Sequence, residues 1–119
     1  MQFHSLHAFF EKLYRSQVEI IDAVAERVRA LGAYATATLE EYLGLTRLKE
    51  KPGEPPDPRQ MILALSADFE TLIKEIREVL RAVEGKVDDP STVSFLTTLL
   101  ERHEKTLWML QAHLDRDLV

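Results

Sequence analysis

The chain has 119 residues, 45% of them hydrophobic, and fifteen basic against twenty acidic residues leave a formal net charge of −5. That length suits a single domain with one core, spanning residues 1–119, and no apolar run approaches the roughly 20 residues of a membrane-spanning helix. The absence of cysteine excludes a disulfide framework and a thiolate metal site. No signal-peptide pattern opens the chain, so a cytoplasmic protein is expected.

The first predicted helix runs from Phe3 to Leu31 without Gly or Pro, on an apolar stripe of Phe3, Leu6, Phe10, Leu13, Ile20, Ile21, Val24, Val28 and Leu31. Gly32 is its expected stop. Two pairs of potential metal ligands lie on it at i,i+4: His7 with Glu11, and Asp22 with Glu26. Each pair projects from one side of the helix, one turn apart. Glu11 and Asp22 are separated by about 16 Å along the axis, so one chain cannot close both pairs on one ion. Two antiparallel copies of the helix could, with the first pair of one facing the second pair of the other. The plainer alternative is that these are solvated surface acids beside Lys12 and Arg27.

Further along, Thr38-Leu39-Glu40-Glu41 has capping-box spacing and should open a short helix of about ten residues. Four of the five prolines fall between positions 52 and 58, which rules out regular structure there. Asp57-Pro58 then starts a helix to Val83 on Met61, Leu65, Phe69, Leu72, Ile73, Ile76, Val79, Leu80 and Val83, with Gly85 as the expected break. Asp89-Pro90 repeats that start, and the last helix should reach about Leu114 on Val93, Leu96, Leu99, Leu100, Leu107, Leu110 and Leu114. His103 and His113 lie about 15 Å apart along it and do not share an ion; His103 is expected to be structural or interfacial, and Trp108 to serve core or interface packing. The chain is therefore read as all-α, with three long helices and one short connecting helix.

The stretch Phe3-His4-Ser5-Leu6-His7, Glu11, Asp22-Ala23-Val24-Ala25-Glu26-Arg27 and Leu31-Gly32 resembles the second helix of the Dps miniferritins, the DNA-binding proteins from starved cells. Ala37 to Leu43 with Lys49-Glu50 is similar to that family's short connecting helix. His103-Glu104-Lys105-Thr106-Leu107-Trp108-Met109-Leu110 is similar to the signature of its last helix. The resemblance spans residues 3 to about 114. It implies a ferritin-like four-helix-bundle fold in which the first helix, with its metal-binding His, has no counterpart here. A stripe normally covered by that helix should then be exposed or covered by a neighbour.

What the resemblance implies for function is a ferroxidase of the oxidative-stress response. His7, Glu11, Asp22 and Glu26 would bind iron at a twofold intersubunit site, oxidise Fe(II) with hydrogen peroxide, and store ferric mineral inside a hollow dodecamer. By the same resemblance Asp88 and Asp89 would line threefold pores for iron entry. Thr92-Val93-Ser94 stands where the family has Thr-Ala-Asp, so that ring is thinner by a carboxylate. An assembly of twelve chains would carry a charge on the order of −60, which opposes DNA binding. Two other readings remain open: a structural assembly protein that keeps the scaffold without its chemistry, and a DNA-compacting protein.

Overall fold

The computed structural model describes residues 3–117, and within them every regular element is helical: α1 (Phe3–Ala30), α2 (Leu39–Leu45), α3 (Pro58–Lys86) and α4 (Pro90–Asp117). Three long helices and one short one therefore form as expected. The Phe3 side chain, part of the expected apolar stripe, lies outside what is described. The chain divides into two compact units, residues 2–51 and 52–119. Among the described residues no helix is long and apolar enough to cross a membrane.

In the first unit, α1 ends where glycine makes a reversal possible. Gly32 has φ +93°, its N–H donates to the Arg29 carbonyl at 3.0 Å, and Ala33 N–H donates to Val28 at 3.2 Å. This pair of bonds is a Schellman cap, which satisfies carbonyls the helix leaves open. The Arg29 guanidinium strengthens the turn, donating to the Ala33 carbonyl and lying 4.6 Å over the Tyr34 ring. α2 starts at the anticipated cap, with Glu41 N–H donating to Thr38 Oγ1 and that hydroxyl donating to the Glu41 carboxylate at 2.6 Å. It spans seven residues rather than ten and buries none of them.

In the second unit, α3 and α4 form an antiparallel hairpin joined by Val87-Asp88-Asp89. Asp57 caps α3 by accepting from Gln60 N–H at 2.8 Å, and Pro58 occupies a first-turn position where its missing N–H costs nothing. α3 passes through Gly85 to Lys86, which corrects the expected stop at Val83. A glycine weakens a helix by about 1 kcal/mol without ending it, and Gly85 is not among the positive-φ glycines. α4 likewise extends to Asp117.

The buried residues of α3 are Ile62, Ser66, Phe69 and Ile73, spaced by four, three and four. Ile62 is fully buried, whereas Val79 is 49% exposed, so the core stripe runs one residue away from Met61 and excludes Val79. On α4 the fully buried residue is Leu110, joined by Thr92 and His103. Burying an Ile or Leu this completely contributes about 1.5–3 kcal/mol relative to exposure. α1 departs further from its sequence reading: Leu6 and Ile20 are buried, but Ile21 is 61% and Leu31 55% exposed.

Candidate metal centre

All four potential ligands of α1 are exposed: His7, Glu11, Asp22 and Glu26. An uninterrupted 28-residue helix fixes their phase. At about 100° per residue, His7, Glu11, Tyr14, Val18 and Asp22 project into a sector of about 80°, with Ile21 and Glu26 at its two edges. Val18 and Ile21 are 47% and 61% exposed, and Tyr14 is 71% exposed. The face is thus organised along its length: a His/Glu pair, an apolar centre, then an Asp/Glu pair.

Within one chain these groups stay apart. Among the described residues no three His, Asp or Glu side chains gather in a way that could hold a metal ion. Glu11 is engaged otherwise: Arg15 Nη2 donates to its Oε1 at 2.9 Å. One imidazole and three carboxylates nevertheless form a donor set suited to a hard or borderline divalent ion. The arrangement leaves two pairs of potential ligands on one exposed face of α1.

The two aspartates before α4 have different roles. Asp89 caps the helix, its Oδ1 accepting from Thr92 N–H at 3.1 Å and its Oδ2 from the Thr92 hydroxyl. Asp88 is exposed. Ser94, on the first turns of α4, is also exposed.

On the α3–α4 hairpin, His103 is 3% exposed and stacks obliquely on Phe69, with ring centroids 5.6 Å apart. Its Nδ1 lies 2.8 Å from the Leu99 carbonyl, which can only accept, so Nδ1 carries a proton. Burial and then the Arg102 charge lower its pKa, against the hydrogen bond to Leu99, which raises it. This is a core histidine. Trp108, by contrast, is 66% exposed and so is not a core residue of this chain. It borders an open groove with Glu70, Arg77 and Glu104, crossed by an Arg77–Glu104 ion pair at 3.0 Å.

The chain matches the Ferritin-like domain family over residues 1–118. It is 40% identical over 114 residues to an uncharacterized low temperature-induced protein of a Nostoc species, covering 96% of this chain and 64% of that relative. It therefore spans less than two thirds of that relative's length. DNA protection during starvation protein 2 of Bacillus anthracis is 34% identical, covering 97% of this chain and 77% of the relative. The crystal structure of the Vibrio cholerae DPS protein superposes with a TM-score of 0.87 at 31% identity, covering 94% of this chain and 69% of that one. That protein is described as a member of a broad superfamily of ferritin-like diiron-carboxylate proteins.

Proposed function

Because the chain belongs to the ferritin-like family and, within it, to the Dps miniferritins, we propose that it binds and oxidises iron at a site shared between two copies of α1. We read residues 1–119 as one ferritin-like domain acting in the cytoplasm. One observation carries the proposal: the exposed face of α1 has a ligand pair at each end and apolar side chains between them. Laid antiparallel on a second copy, position 7 falls opposite 26, 11 opposite 22, and 15 opposite 18. Tyr14, Val18 and Ile21 then supply the apolar contact, and His7 and Glu11 of one chain meet Asp22 and Glu26 of the other. Twofold pairing of a single patch with itself is the ordinary way a homodimer closes, and it creates two equivalent sites.

Iron is the substrate of this site. The carboxylates supply charge that favours Fe(III) over Fe(II), and the imidazole completes a donor set with room for an oxidant. Glu26 anchors the ion with Asp22 beside it, while His7 and Glu11 come from the facing helix. Hydrogen peroxide is the proposed oxidant, and the ferric product is stored as mineral inside a hollow homo-oligomer, a dodecamer by family likeness. Both ingredients of hydroxyl-radical formation are thereby removed. Asp88 is the freer of the two proposed pore carboxylates, since Asp89 also holds the start of α4. The net charge of −5 favours protection by iron removal rather than by covering DNA.

The test is stopped-flow oxidation of Fe(II) by hydrogen peroxide, comparing the chain with its Asp22→Ala/Glu26→Ala variant. The fast phase should be present in the parent and lost in the variant. Equal rates in the two proteins would leave an assembly scaffold without this chemistry.

A further inference from the structure

We infer that Arg15 is a built-in counter-ion of the metal site, holding Glu11 while the site is empty and giving way when a divalent cation enters. The inference rests on the proposed function, in which Glu11 is a ligand. Its own observation is the ion pair on α1: Arg15 Nη2 donates to Glu11 Oε1 at 2.9 Å, with side chains 75% and 51% exposed. One of the two carboxylate oxygens Glu11 could offer a metal ion is thus already taken by the guanidinium.

Charge explains why such a residue is useful. The composite site gathers three carboxylates beside one imidazole, and like charges brought together oppose each other. Arg15 lies one turn from Glu11 on its own helix. In the antiparallel register it stands opposite Val18 of the second copy, one turn from that copy's Asp22. A positive charge between two carboxylates of the site eases their repulsion without metal. The same charge repels an incoming cation, so loading requires the guanidinium to release Glu11 and swing toward solvent. In the single chain the pair is a solvent-exposed i,i+4 pair, a kind that contributes little, so releasing Glu11 costs little. Arg15 is therefore a positioning residue that sets the affinity threshold of the site.

Zn(II), which has no redox chemistry, is the probe. Calorimetric titration of the assembled protein at about 20 mM ionic strength should show Arg15→Gln binding Zn(II) about threefold more tightly than the parent, as expected for removing one solvated charge about 6 Å away. The difference should close at about 0.5 M salt, where the screening length falls below the separation. Arg15→Lys keeps the charge and should behave as the parent. Glutamine is a good helix former, so the variant keeps α1. Equal or weaker binding by Arg15→Gln, while Glu11→Gln still loses Zn(II), would overturn the role of Arg15 and leave the site standing. Parent binding no stronger than that of Asp22→Ala/Glu26→Ala would overturn the site itself, and this inference with it.

Discussion

His103 shows how a single side chain couples packing to proton concentration. Its Nδ1–H is fixed on the Leu99 carbonyl and its ring is buried against Phe69, which favours the neutral form. Free histidine titrates near 6.5, and the folded value lies below that because burial, helped by Arg102, outweighs the hydrogen bond. Between the two values the unfolded chain binds more protons than the folded one, so stability rises with pH across that window and falls on acidification. Urea unfolding followed from pH 7 to pH 5 should show a loss of stability that is smaller in His103→Leu; an unchanged slope would count against the assignment. The sequence held a signal for this residue, since position 103 continues the apolar spacing of Leu96, Leu99, Leu100, Leu107 and Leu110. The sequence expectation for it is structural or interfacial, outside the apolar stripe of α4, and the period places it in that stripe. The Arg15–Glu11 pair is equally legible as i,i+4 opposite charges, with Lys12 beside Glu11 as the competing partner in sequence. The four proposed ligands, in contrast, could be named from spacing and family likeness, while the proposed site needs a second chain to close.

At the scale of elements, helices were legible wherever caps and breakers acted locally. Thr38, Asp57 and Asp89 each accept the backbone N–H bond their position calls for. Glycine misled because its effect depends on backbone conformation that the letter alone does not reveal. Gly32 has φ +93°, and an added Cβ there would meet no neighbouring atom but would strain the backbone. Gly85 is helical, with nothing within 4 Å of a built Cβ. The two should therefore respond oppositely to alanine: Gly32→Ala should cost about 1 kcal/mol, and Gly85→Ala should add about 0.5–1 kcal/mol. Urea midpoints of the two variants, measured side by side, check both signs. Phase within a helix was read less well. Ile20 and Ile21 are neighbours of the same type, yet they lie about 100° apart on the cylinder, and only Ile20 is buried.

At the scale of the whole molecule, the exposed face of α1 is what a single chain cannot explain. Exposed apolar side chains between two sets of potential ligands make sense as a surface meant for its own copy, and composition gave no hint of it. In the proposed antiparallel pairing, the two chemical halves of each site would come from different polypeptides. Lesions in the two halves should therefore complement each other. A chain carrying Asp22→Ala/Glu26→Ala still provides a sound His7/Glu11 pair, and a chain carrying His7→Ala/Glu11→Ala provides a sound Asp22/Glu26 pair. Each is inactive with itself. Co-refolded in equal amounts with random pairing, half of the dimers should be mixed, each with one restored site and one doubly defective site, recovering about a quarter of parental Fe(II) oxidation. Two alleles without activity would then support it together, the genetic outcome expected if each site is shared between chains.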